Sequence, residues 1–262
     1  MKKMTLLHKI SYSSLFIALG VILSRFVSVP ALFGLPFLKI SFAPSIVMFS
    51  SIYLGPFFGL IVGSLVDIIG ALLFPTGAFN PLYTIPAALT GLMPGLVYIF
   101  IRKIKIEDKF PFVSLISISA FDIFIIFFMI FNDSIKSESG KKEYILEPWM
   151  KIGIIILALV LSILFFVLVY LLKKKFKNRK INNNYNIYIV ASSVFITYFI
   201  FKIPIGSMIQ AILLDWDFLI ILLSRMLTGF ITSFVHIFLI SVALNVSLSV
   251  GIKGALINGD EA

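Results

Sequence analysis

The sequence predicts an all-α integral membrane protein, and three observations carry that prediction. Of its 262 residues, 60% are hydrophobic and 13% charged, for a mean hydropathy of +1.09. A soluble domain has no interior large enough to hide that much apolar surface. The apolar residues are gathered into about eight segments, most of them near the roughly 20 residues a helix needs to cross a bilayer. Basic residues crowd every second break between segments, which is the positive-inside bias of a multi-pass chain. That distribution accounts for the formal net charge of +10 with no nucleic acid as partner. Twenty-eight Phe against two Trp is a lipid-facing composition, and the lack of Cys excludes a disulfide, a thiolate nucleophile or an iron–sulfur site.

The first apolar segment, residues 10–29, follows a basic leader with Lys2, Lys3 and Lys9 that reads as retained rather than cleaved. The second, 41–54, is too short for a full span. Either it starts below the outer surface or the 30–40 loop dips to meet it, and both versions open a pit to the outside. The third and fourth, 56–74 and 82–101, flank a compact Pro/Gly break at 74–81. The fifth and sixth, 112–131 and 149–172, enclose a mixed-charge loop at 132–148. The seventh is 186–203 and the eighth 218–246, with Asp215 and Asp217 in the connection between them. Arg102, Lys103, Lys105 and Lys109 follow the fourth segment, a basic run from Lys173 to Lys180 follows the sixth, and Lys253 follows the eighth. With eight spans all of these fall on one face, the cytoplasmic one, so both termini lie inside and the protein is a multi-pass cell-membrane protein. The polar run 173–185 reads as a topology anchor and linker, with anionic lipid as its alternative partner.

Residues 54–95 are the most informative stretch. Gly55, Gly59, Gly63, Ser64, Gly70 and Ala71 form a ladder of small residues that lets helix backbones approach closely. The broken hairpin beyond it reads either as a tight helical turn or as one wall of a small-molecule site. Four basic residues lie away from the inner face: Arg25, Lys39, Lys202 and Arg225. Converging, they would make a cationic patch for a carboxylate, with Arg able to grip it in two bonds; separately, Arg25, Lys39 and Lys202 would snorkel to the interface. Asp67 and Asp122 each lie mid-span and serve either a proton or cation path or a local hydrogen bond. His236 has no carboxylate at helical spacing, so a metal site is not expected. No HExxH, GxSxG or phosphate-binding loop is present, which argues against an enzyme. Ser14 and Ala18 make a small face on the first segment, for internal packing or for a partner's helix.

With those residues in view, the chain resembles the substrate-binding membrane subunit, the S component, of an energy-coupling-factor vitamin transporter, nearest the folate-type branch. The similar text is SRFVSV (24–29), LKISFAPS (38–45), LGPFFGLIVGSLVDIIGALLFPTGAF (54–79) and TIPAALTGL (84–92), with SRMLTGFI (224–231) a looser match. The resemblance implies a single transmembrane domain over 1–262. Its six-helix core would comprise four helices in 1–101 and two in 186–262, with an extra transmembrane hairpin and basic linker inserted at 102–185. It also implies a vitamin ligand held in an outward-facing pocket, and association with a transmembrane coupling protein and two ATPase subunits that supply the energy. Ser14 and Ala18 fall where such proteins carry the small face that docks on the coupling protein.

For a folate or related pterin, the flat head suits Phe42, Phe74, Phe79, Asn80, Tyr83 and Thr84 around the break. The acidic tail suits Arg25, Lys39 and Arg225. Folate-type members usually read Gly-Ala-Tyr-Phe-Pro-Gly-Phe-Thr where this chain has Gly77-Ala78-Phe79-Asn80-Pro81-Leu82-Tyr83-Thr84. That departure keeps another vitamin or small organic solute as an alternative cargo. Two other classes stay open: an intramembrane enzyme acting on a lipid-linked substrate through Asp67 and Asp122, and a stand-alone gradient-coupled carrier. No cofactor is implied.

Overall fold

A computed structural model describes residues 4–30, 39–75, 79–103, 111–131, 134–136, 143–145, 147–177, 187–215, 217–250 and 254. Among these, six helices are long and apolar enough to cross a membrane, and two shorter apolar helices accompany them. The chain is an all-α membrane protein, with two small antiparallel ladders in its loops.

Helix α1 (Leu6–Arg25) begins at Thr5, whose hydroxyl accepts the His8 N–H, one of the donors that a helix start leaves open. The ladder Val29–Pro30 (β1) with Lys39–Ile40 (β2) leads into α2 (Ala43–Leu54). At 12 residues, α2 is about 18 Å long, well short of a hydrocarbon core of roughly 30 Å. The chain turns from α2 into α3 (Pro56–Leu73) on Gly55 alone, at φ 110°. Only glycine takes that conformation without strain, and Pro56 then starts the next helix with its fixed φ.

A 3₁₀ turn (Pro81–Tyr83) runs straight into α4 (Thr84–Lys103). Pro94 interrupts the hydrogen-bond ladder of α4. Beside it Ser51 on α2 braces α4: its hydroxyl accepts the Gly95 N–H at 2.9 Å and donates to the Leu92 carbonyl at 3.4 Å.

Helices α5 (Pro111–Phe131) and α6 (Pro148–Lys177) are joined through the ladder Ser134–Lys136 (β3) with Glu143–Ile145 (β4). The Ser162 hydroxyl donates to Asp122 at 2.8 Å, tying α6 to α5 inside the apolar layer. The pair packs from one side against the later helices, with Phe165 against Phe195 and Phe230.

The seventh apolar segment corrects the sequence reading. It does not stop at residue 203. Helix α7 (Ile187–Ile196) passes through a π-helical stretch (Thr197–Lys202) into α8 (Ile203–Leu214), one body of 28 residues. Pro204 has no N–H to give, yet it does not end the helix. In the structure it follows the π segment, where the Ile203 N–H already reaches back five residues to Tyr198. The ladder is shifted there, so the missing donor falls in the first turn of α8 and costs little. Asp215, in the left-handed region at φ 55°, ends the helix; the Asp217 carboxylate accepts the Leu219 N–H and starts α9 (Phe218–Ser249).

The closest helix pair is α3 with α4. A Cβ on Gly59 or on Gly91 would collide with the other's carbonyl oxygen, and one on Gly63 would strike the Ala87 carbonyl. Helix α1 lies across α2 and α3, with Gly20 over Val66 and Phe16 edge-on to Phe49 at 5.4 Å. Helix α9 closes the bundle against α2, α7 and α8. Phe57, Leu72, Phe100, Ile163 and Ile212 remain exposed on the outside, which suits a surface solvated by acyl chains.

Candidate functional site

Helix starts and ends meet at one end of the bundle around a cavity of about 350 Å³, within the usual size of a small-molecule site. The end of α1 brings Ser24 and Arg25, and the approach to α2 brings Ser41. Helix α3 brings Gly63, Val66 and Asp67, and the 3₁₀ turn and α4 bring Tyr83, Ala87 and Thr90. The later helices bring Lys202, Gly206 and Arg225. Three basic side chains therefore face one acidic side chain around this space.

Local structure explains how each charge arrives. Arg25 is the last residue of α1 and lies over Gly70 of α3, where an added Cβ would sit 3.1 Å from its Nε. Arg225 is two turns into α9. It reaches across to α8, where NH2 donates to Gln210 Oε1 at 2.5 Å, and the bare Cα of Gly206 leaves room for its guanidinium. Lys202 ends the π stretch; its ammonium donates to the Tyr198 hydroxyl at 2.8 Å and lies 4.2 Å from that ring's centre. The hydrogen bonds that hold Lys202 and Arg225 come from neutral groups, the Tyr198 hydroxyl and the Gln210 amide. Asp67 accepts the Thr84 hydroxyl at 2.8 Å, a bond that fixes the carboxylate and ties α3 to the head of α4.

Of the residues assigned to the ligand from the sequence, the cavity brings together Arg25, Tyr83 and Arg225, and it adds Lys202, grouped in the sequence with the basic residues of a cationic patch, and Asp67. Thr84 stands one bond behind the wall, on Asp67. Asn80 turns inward on its own backbone, accepting the Leu82 N–H at 3.0 Å to start the 3₁₀ turn. Phe42 precedes α2 and is half-buried outside the lining. Phe74 meets Phe26 edge-on at 5.0 Å, and Phe79 is exposed. Lys39 pairs through its backbone with Pro30, and its side chain lies outside the described residues. Ser14 and Ala18 are exposed on the outer side of α1.

Sequence reasoning left Gln210, Gly206 and Thr90 unnoticed, and it kept Asp67 apart from the ligand set. A lone amide in the otherwise apolar 203–214 stretch was the available signal for Gln210. His236 also has more company than expected: Nδ1 is 2.6 Å from Ser45 Oγ and Nε2 is 2.9 Å from the Tyr198 hydroxyl. Among the described residues, no group of three or more His, Cys, Asp or Glu could hold a metal ion. A second, larger space of about 640 Å³ between α4 and the π stretch is walled by apolar side chains such as Leu96, Phe100 and Ile200, with Lys103 its one basic residue among those described. The polar chemistry belongs to the smaller cavity.

Comparison with known proteins bears on this arrangement. Folate transporter FolT of Clostridium novyi (strain NT) is 28% identical over 107 residues, which are 41% of this chain and 59% of that protein. The chain thus spans about three fifths of the length of that curated relative. No solved structure matches. The family model described as ECF-type riboflavin transporter, S component matches residues 4–174, the greater part of the chain, and the chain belongs to that family.

Proposed function

We propose that this chain is the substrate-capturing subunit of an ATP-driven vitamin importer, and that its cargo is a folate or a related pterin taken from the outer face. The observation that carries the reading is the charge of the cavity: Arg25, Lys202 and Arg225 against Asp67. A folate-class molecule has a flat head with N–H donors along one edge and an acidic tail. Asp67 suits the donor edge, Tyr83 is the ring available to stack on the head, and the three cations suit the tail. Each charge-assisted bond contributes roughly 1.5–3 kcal/mol, so two such bonds separate an acidic ligand from its neutral analogue by a wide margin. The name of the curated relative supports the same cargo.

Riboflavin is the second reading, favoured by the description of the family. Its head is uncharged and its tail is a polyol, so it would make no charge-assisted bond with the three cations of the cavity. The chain acts in this account by binding and not by catalysis. Asp67 and Asp122, the acids that an intramembrane enzyme would use, are on α3 and α5 and bond to different hydroxyls, Thr84 and Ser162. Energy comes from the partners that the reading requires: a transmembrane coupling protein and two ATPase subunits. Mass spectrometry of the small molecules retained by the purified chain tests the cargo. Folate or a pterin is the expected finding, and riboflavin alone would overturn it.

A further inference from the structure

A buried polar chain runs through the bundle beneath the cavity and ends on its wall. It starts at Ser45 in the first turn of α2, crosses to His236 in α9, passes to Tyr198 in the π stretch and finishes at Lys202. Ser45, His236 and Tyr198 are 3%, 1% and 6% exposed. The donor inventory gives the chain a direction. An ammonium only donates, so Tyr198 Oη accepts from Lys202. The phenol proton is then available to His236 Nε2, and a neutral imidazole that accepts there carries its own proton on Nδ1, facing Ser45 Oγ. The cation at one end thus fixes the Tyr198 hydroxyl as an acceptor. The π geometry belongs to the same device, since Tyr198 and Lys202 both lie within Thr197–Lys202, and π segments gather at functional sites.

We propose that Ser45, His236 and Tyr198 are positioning residues that hold the Lys202 ammonium on the cavity wall and make Lys202 the cation that selects an acidic ligand tail. The proposal rests on the folate-class reading of the cavity. A free lysine swings on four rotatable bonds, and a ligand that fixes it loses affinity to the ordering. A lysine already clamped through its ring contact and its hydrogen bond spares the ligand that cost, and it keeps a charge where a neutral ligand has no use for one.

The test uses the full chain in lipid nanodiscs and the variants Tyr198→Phe, Lys202→Met and the two combined. Calorimetry is run with folate and with a tail-less, uncharged pterin. Tyr198→Phe should weaken folate roughly 10-fold, as loss of one bond to a charged group does, and leave the pterin unchanged. The double variant should bind folate no worse than Lys202→Met alone, because Tyr198 acts through the lysine. His236→Gln should lose folate in the same direction and by less. In a second arm, with no ligand present, acetic anhydride modifies lysines and peptide mass spectrometry reads the rate at Lys202, which should rise several-fold in Tyr198→Phe. Equal loss of both ligands, or additive losses in the double variant, would reduce the chain to a packing role. An unchanged acetylation rate would show that Tyr198 does not hold Lys202. If the parent binds neither ligand, the folate-class reading falls, and the acetylation rate alone decides whether the clamp exists.

Discussion

Arg225 shows how one charge is set in place inside an apolar bundle. Its side chain needs both an acceptor, Gln210 at 2.5 Å, and a gap, the bare Cα of Gly206. Filling that gap should displace the guanidinium while leaving its charge in the protein. Gly206→Val is therefore expected to weaken folate binding about 10-fold, near the lower bound for one charge-assisted bond, with the tail-less pterin bound as before; calorimetry reads both. Asn80 works differently. Its side chain caps the 3₁₀ turn ahead of α4, so Asn80→Ala should cost about 1 kcal/mol of stability, as lost caps do, visible as a lower Tm. Of these roles, the charges of Arg25 and Arg225 were legible in the sequence, because an arginine in an apolar run has few structural uses. Lys202 was grouped with them as part of a candidate cationic patch but left out of the ligand set, and the place of Gln210 was not legible, since it depends on which face of the long 187–214 helix turns inward.

At the scale of elements, the α3–α4 seam is the tightest feature of the fold. The ladder of small residues announced it in the sequence, and Gly59 against Gly91 and Gly63 against Ala87 realise it. No larger side chain fits without moving a backbone. Gly59→Val and Gly91→Val should each destabilise by about 1–3 kcal/mol, the usual cost of overpacking, and thermal unfolding in detergent would record it. The Asp122–Ser162 bond is a smaller matter, because hydrogen bonds between membrane helices average about 0.6 kcal/mol. Ser162→Ala should shift Tm slightly and leave ligand affinity untouched, since α5 and α6 contribute no residue to the described lining of the cavity. The eight apolar segments were legible in outline from hydropathy. The end of the seventh was placed too early, at 203, and nothing in residue order alone announces the π stretch that carries the helix past Pro204.

For the whole molecule, two expectations follow from the proposed role. From the basic residues that follow α6, we expect the segment between α6 and α7 inside and the one between α5 and α6 outside. A membrane-impermeant thiol reagent on intact cells should thus label single cysteines in the second and miss the first; the reverse pattern would put the cavity on the wrong side for uptake. If exposed Ser14 and Ala18 meet a coupling protein, Ser14→Trp or Ala18→Trp should abolish transport and spare ligand binding, whereas joint loss of both would assign that face to folding. Both expectations depend on what the cavity holds. Calorimetry of the parent and of Arg225→Ala, with folate and with the tail-less pterin, tests this most directly. The account predicts that the variant loses about 10- to 100-fold in folate affinity and binds the pterin as the parent does. Unchanged binding of both ligands would contradict it, making the basic residues interface anchors and an uncharged vitamin the cargo.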